Sequence, residues 1–234
     1  MRSDASGIAG WVKNSFIDFP GTVSTVLFFS GCNLRCPYCH NPRLIDAGSA
    51  ESESIPLTTI LDFLEKRRKF IQGVVLSGGE PTLNQSVPGI GSAIRAAGFR
   101  VKLDTNGLLP EKIAEIKPDY LALDIKTTPQ NYVRLLKAPY EDTAQRLENS
   151  IRIAKSMDEN AEIRITIAPE IITMRIIEEI GSMLRGIAKV YLQPMRCLNE
   201  VLDPTIQDKK MPTTEELEAY KKTLLRFVDF CEIR

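Results

Sequence analysis

The sequence predicts an α/β fold built on a parallel sheet, and three observations carry that reading. Six short apolar runs, each the length of a strand, alternate with stretches of helical periodicity. The first four runs each end in a cysteine, glycine or acidic signal, where parallel α/β folds build their sites. With 234 residues the chain can bury one sizeable core, in the upper range of a single α/β domain. One domain over residues 1–234 is therefore expected, with its core at about 20–194 and a last helix at about 213–230.

Gly10 to Gly21 is mixed in character, and Asp18-Phe19-Pro20-Gly21 supplies a turn. Thr22 to Phe29 is rich in β-branched and aromatic residues and reads as a buried first strand. Asp46 to Pro56 is a polar surface connection. In Thr58 to Ile71, Ile60, Leu61, Phe63, Leu64 and Phe70 sit among charges, the pattern of an amphipathic helix. Gly73 to Leu76 is a short strand that ends in Ser77-Gly78-Gly79-Glu80-Pro81.

The alternation then repeats. A helix from Val87 to Ala97 stops at Gly98, and a strand from Phe99 to Leu103 ends in Asp104-Thr105-Asn106-Gly107. Pro110 opens a short helix to Ile116, since proline is tolerated in a first turn. Tyr120 to Ile125 is a strand closing with Asp124-x-Lys126. Glu141 to Met157 is helical, Ala161 to Ala168 is a strand carrying Arg164, and Met174 to Leu184 is helical. Lys189 to Leu192 is the last strand, ending at Gln193-Pro194. A final helix, Thr213 to Phe230, opens with a capping box (Thr213 and Glu216) and aligns Leu217, Tyr220, Leu224 and Phe227 on one face.

Thirty basic residues balance thirty acidic ones, so whole-protein electrostatics argue for neither nucleic acid nor an anionic membrane as a partner. No apolar run approaches the roughly 20 residues that span a bilayer. The start, MRSDASGIAG, lacks the apolar stretch of a secretory signal, which makes the cytoplasm the expected location. Five cysteines, three of them on one loop, do not form a secreted disulfide framework. Cys197 and Cys231 stand alone and read as small buried thiols.

That loop, FFSGCNLRCPYCHNP, places Cys32, Cys36 and Cys39 in C-x3-C-x2-C spacing just after the first strand. Three thiolates can hold three irons of a cubane cluster, and a protein-only cubane takes four. The fourth iron would then be open to a small molecule. Other readings exist on spacing alone. Cys36, Cys39 and His40 spell the haem-attachment pattern, which leaves Cys32 unexplained and belongs to exported proteins. A Cys3His zinc site would place His40 directly after Cys39, closer than zinc knuckles space their ligands. Inert structural thiols would have no reason to cluster on a Gly/Pro/Asn loop.

The C-x3-C-x-Tyr-C string (Cys32, Cys36, Tyr38, Cys39) resembles the cluster motif of the radical S-adenosylmethionine (SAM) superfamily. From about Gly10 to about Pro194 the chain resembles the proteins that activate anaerobic ribonucleoside-triphosphate reductase, relatives of the pyruvate formate-lyase activating enzymes. Periodicity does not separate an open doubly wound sheet from a barrel; the resemblance implies a partial (β/α)6 TIM-like barrel.

The same resemblance implies the site. Cys32, Cys36 and Cys39 would bind a [4Fe–4S] cluster, with SAM on the fourth iron. Gly78, Gly79 and Glu80 match the GGEP motif, whose exposed backbone meets the SAM amino group, and Tyr38 matches the aromatic on its adenine. Asp104, Thr105, Asp124 and the Ala122 backbone match a site for Na+ or K+, and Lys126 would reach the SAM carboxylate; the alternative is that Asp104 caps a turn and Asp124 pairs with Lys126. Arg164, a charge among apolar neighbours in a strand, would face a bound ligand or partner, or form a plain salt bridge. His40 is left to loop structure, and no side chain is needed as a general acid.

The implied reaction takes one electron from flavodoxin or ferredoxin. Cleavage of SAM yields a 5′-deoxyadenosyl radical, which takes hydrogen from a glycine of the partner reductase. Activation of another glycyl-radical enzyme, or small-molecule chemistry of the 7-carboxy-7-deazaguanine synthase type, is the alternative within the superfamily. A non-catalytic electron-transfer or zinc-scaffold protein is the alternative outside it.

Overall fold

Strand formation begins earlier than the sequence pattern indicates. The computed structural model describes residues 6–46, 54–195 and 201–234, and β1 (Ile8–Ser15) is its first element. It runs antiparallel to β2 (Ser24–Phe29), with register shifts between Ile8 and Gly10 and between Val12 and Ser15. Those irregularities hide β1 from a pattern search, because Val12, Lys13 and Asn14 are exposed in succession instead of alternating. The turn after it is where expected. The Thr22 N–H donates to the Phe19 carbonyl at 3.0 Å, and Gly21 takes φ +63°.

The remaining elements follow in order: α1 (Leu57–Lys66), β3 (Gly73–Gly78), α2 (Val87–Ala96), β4 (Arg100–Thr105) and α3 (Pro110–Ile116). Then come β5 (Tyr120–Asp124), α4 (Thr143–Met157), β6 (Ala161–Ile167), α5 (Met174–Met183), β7 (Lys189–Pro194), α6 (Thr214–Leu224) and β8 (Phe230–Ile233). Among the described residues the sheet has eight strands, in chain order. β2 pairs with β3, β3 with β4, β6 with β7 and β7 with β8, all parallel. The α/β class and the six alternating strands, now β2 to β7, are as the sequence predicts.

The chain divides into two compact units. One comprises residues 1–33, 43–105 and 111–121, the other 34–42, 106–110 and 122–234. Their segments alternate along the chain, so they are not two successive domains. In the first unit, Val26 of β2, Val75 of β3, Phe19 and Tyr120 form a buried cluster against which Phe28 packs. In the second, Ile163, Ile165 and Ile167 of β6, Val190 and Leu192 of β7, and Ile177 and Ile180 of α5 are all fully buried. Each such side chain contributes about 1.5–3 kcal/mol by leaving water.

Three helix boundaries differ from expectation for local reasons. α1 stops at Lys66, well before Ile71. Lys66-Arg67-Arg68-Lys69 suits the negative end of a helix dipole, but a further helical turn would crowd four cations. Ile71 instead turns inward while Phe70 stays exposed. α4 begins at Thr143, because Asp142 takes the left-handed φ of +60°. At the C-terminal end, α6 has the expected capping box but closes at Leu224. The Phe227 and Val228 N–H groups bond back to the Leu224 carbonyl, and the chain leaves the helix to form β8 beside β7. Among the described residues no helix is long and apolar enough to cross a membrane.

Candidate functional site

In the first unit, β2 leads into Gly31 and Cys32, whose N–H groups donate to the carbonyls of Leu44 (2.7 Å) and Ile45 (3.0 Å). The end of β3 closes on the same exit. The Gly79 N–H donates to the Phe29 carbonyl at 2.9 Å, and the Glu80 N–H to the Gly31 carbonyl at 2.8 Å. A Cβ on Gly78 would lie 2.3 Å from the Phe29 nitrogen, and one on Gly79 would lie 2.2 Å from the Gly31 oxygen. The close approach that the glycine pair permits is thus made to the protein's own backbone. Gly79→Ala is expected to destabilise the iron-free chain by more than about 1 kcal/mol in urea unfolding, since backbone rather than a flexible side chain would have to move.

Glu80 is buried, and its Oε1 accepts from the Thr82 N–H (3.0 Å), the Thr82 hydroxyl (2.5 Å) and the Thr105 hydroxyl (2.7 Å). It caps the short 3-10 turn Pro81–Leu83 and ties the end of β3 to the end of β4. Glu80 Oε1 is thus committed to contacts inside the fold. Asp104 accepts from the Lys102 ammonium at 2.7 Å and from the Ser77 hydroxyl at 3.3 Å. Lys102 was not legible as a site residue from motif matching. The signal was its position two residues before Asp104, which puts both on one face of β4.

In the second unit, Cys36 and Cys39 sit on a tight turn, with the Cys39 N–H donating to the Cys36 carbonyl at 3.0 Å. The loop is pinned by the Arg35 N–H on the Leu135 carbonyl (2.7 Å) and the Asp203 N–H on the Pro37 carbonyl (2.9 Å). Burial pushes the Cys36 thiol's pKa up, and the Lys126 ammonium facing it pulls the other way. Tyr38 is buried beside Cys36, and burial holds its phenol well above the ordinary range. Tyr132, which sequence analysis did not single out, lies in the same cluster, and its hydroxyl accepts the Lys126 N–H at 3.0 Å.

Asp124, at the end of β5, is gripped by two cations. Arg164 of β6 donates Nε to Oδ1 (2.7 Å) and Nη2 to Oδ2 (3.2 Å), and the Lys126 ammonium lies 3.2 Å from Oδ2. Burial would raise the Asp124 pKa, but Arg164 and then Lys126 outweigh it and hold the carboxyl down at about 2. Burial likewise works against the Lys126 ammonium, and Asp124 with Cys36 reverses this to hold its pKa above the ordinary value. His40 is exposed on the loop, Ala122 is wholly buried in β5, and Cys197 lies outside the described residues. Cys231 is buried in β8, with its thiol pushed up to about 11 by burial, as an inert thiol should be.

The family model of the Radical SAM superfamily matches residues 26–180, which include the cysteine loop, the glycine pair, Asp124 and Arg164. The chain belongs to the radical SAM superfamily. A provisionally named glycyl-radical enzyme activating enzyme of Methanocaldococcus jannaschii is 30% identical over 97% of this chain and 95% of its own length. The pyruvate formate-lyase-activating enzyme of Clostridium pasteurianum is 30% identical over 89% of this chain and 94% of its own. A 7-carboxy-7-deazaguanine synthase of Aquifex aeolicus is 33% identical over a shorter stretch, 41% of this chain and 43% of its own. Among solved structures, TYW1 with a lysine-pyruvate adduct shares the fold. Its TM-score is 0.63 at 16% identity, covering 89% of this chain and 76% of that one.

Membership of the radical SAM superfamily implies a [4Fe–4S] cluster and SAM. The donor set fits the cluster: a cubane takes one thiolate per iron, and the Lys126 ammonium facing Cys36 suits an anionic group there. Among the described residues no three His, Cys, Asp or Glu side chains converge on a single metal ion, and a cubane does not ask that of them. An alkali ion fits less well. Asp104 already holds Lys102, and Asp124 already holds Arg164 and Lys126.

Proposed function

We propose that this radical SAM enzyme activates a glycyl-radical enzyme, with anaerobic ribonucleoside-triphosphate reductase as its target. The observation that carries the reading is the likeness to two activating enzymes, each 30% identical over 89% or more of this chain, whereas the 7-carboxy-7-deazaguanine synthase of Thermococcus kodakarensis is 26% identical over 71% of it. The cysteine loop and the strand-end residues support it.

In this reading Cys32, Cys36 and Cys39 hold three irons, and the fourth is left for SAM. The backbone of Gly78 and Gly79 receives the SAM ammonium, while Lys126 and Arg164 face its carboxylate. Both cations are also held by Asp124, so they are fixed before SAM arrives. Tyr38 supports the adenine side. A bound cluster and SAM would supply one-electron radical chemistry there, fed by flavodoxin or ferredoxin and directed at a glycine Cα of the partner.

The test is to mix reconstituted protein, SAM, a reductant and the anaerobic reductase encoded in the same genome without oxygen. A glycyl-radical doublet by electron paramagnetic resonance is expected, collapsing when the reductase carries deuterated glycine. A doublet only with a different glycyl-radical enzyme would reassign the target. Production of 7-carboxy-7-deazaguanine by the reconstituted protein, with no radical on any such enzyme, would overturn the activating role.

A further inference from the structure

Lys102 is a charged side chain in the middle of a buried strand. Its neighbours Val101 and Leu103 are wholly buried, and Lys102 itself is 2% exposed. Across the sheet it pairs in register with Val75, which belongs to the apolar cluster with Phe19, Val26 and Tyr120. Lysine is almost never this buried without a partner, because an uncompensated ammonium in an apolar interior costs several kcal/mol. The partner here is Asp104, 2.7 Å away on the same face of β4, with its side chain 11% exposed.

Packing alone does not call for lysine at this position, since methionine has a similar length and suits an apolar interior. The ammonium is what the position adds, and its effect is to neutralise Asp104 from within. Thr105, the next expected cation ligand, commits its hydroxyl to Glu80.

We infer that the Lys102 ammonium is a built-in counterion for Asp104, in the place where an alkali-metal ion would otherwise be held, so that the site works without Na+ or K+. A covalently attached cation has no binding equilibrium and is present at any salt concentration. It also holds the Asp104 carboxylate in one position, 2.7 Å from the ammonium, which makes Lys102 a positioning residue. The inference rests on the superfamily's SAM site but not on which protein is activated.

The experiment uses the full chain, iron-free, in choline chloride, NaCl or KCl at constant ionic strength. Thermal unfolding is followed by circular dichroism, and binding of Tl+, a K+ surrogate, by thallium-205 resonance. For the wild type, the unfolding midpoint should be the same in all three salts, with no saturable thallium signal. Lys102→Met exposes the carboxylate's need for a cation. Its midpoint should rise saturably with K+ or NH4+ but not with choline, and it should bind thallium. Lys102→Met combined with Asp104→Asn should lose that response.

Reconstituted Lys102→Met should likewise need K+ or NH4+ to restore SAM cleavage, a rescue that a purely structural defect would not show. A saturable alkali-ion response in the wild type overturns the inference by itself, even if Lys102→Met does not fold. A folded Lys102→Met that ignores K+ and NH4+ overturns it too. Failure of the activating role leaves all the salt measurements unchanged, so the two readings fail separately.

Discussion

Replacing Cys36 by alanine is expected to abolish both the cluster and the cleavage of SAM while leaving the iron-free fold intact. The side chain is buried, and exchanging a thiol for a methyl removes little apolar contact, so its cost in stability is about 1 kcal/mol. Its cost in function is total, because each iron of the cubane that the protein holds depends on one thiolate. After anaerobic reconstitution, iron and sulfide per chain should fall to background, the brown absorbance should be missing, and 5′-deoxyadenosine should be undetectable by chromatography. Cys39→Ala should match it. Cys231→Ala is the control: that thiol is buried in β8 and inert, so the variant should retain its cluster and activity. Full deoxyadenosine production by Cys36→Ala would sink the assignment of the cluster to this loop.

The strands that position these residues were legible because their signals are local. β2, β3 and β6 are runs of β-branched and apolar residues that, largely buried on both faces, need no alternation to be recognised, whereas β7 alternates, with Val190 and Leu192 buried between half-buried neighbours. β1 was not legible, since its register shifts break the pattern that would reveal an edge strand. β8 was hidden for a different reason. Four residues, Phe230–Ile233, carry too little periodicity to outweigh the helical pattern running into them.

Spacing singled out Cys32, Cys36 and Cys39 as candidates, and strand-end position singled out Asp104 and Asp124. What spacing does not contain is the partner of each charge. Asp124 reads the same in sequence whether it faces a metal ion or Arg164, and only the pairing of β5 and β6 residues in space separates the two. Glu80 shows the same limit. Its place in the glycine-rich motif does not reveal that its Oε1 serves the turn that follows and the strand beside it.

Asp124→Ala is expected to be the most destabilising substitution among the site's charged residues, because it strands two cations at once. Arg164 and Lys126 have side chains only 15% and 16% exposed, and both are oriented on the missing carboxylate. Removing one partner from a buried ion pair costs about 3–5 kcal/mol, and most of that is the penalty left on the unpaired partners. Replacing Arg164 by methionine in the same chain should therefore recover part of the loss, a coupling that a double-mutant cycle in urea reads directly.

Acid should produce a milder version of the same effect. The Asp124 carboxyl titrates at about 2 when folded and near 3.8 when free, so its contribution is fully present above about pH 4. It is lost as the pH falls toward 2, and that difference corresponds to about 2–3 kcal/mol. Protonation costs less than truncation because a neutral carboxyl still accepts from Arg164, whereas alanine accepts from nothing. Unfolding midpoints of wild type and Asp124→Ala should therefore converge as the pH drops from 5 to 2. Curves that stay parallel over that range would mean that the Arg164 and Lys126 contacts do not hold Asp124 ionised.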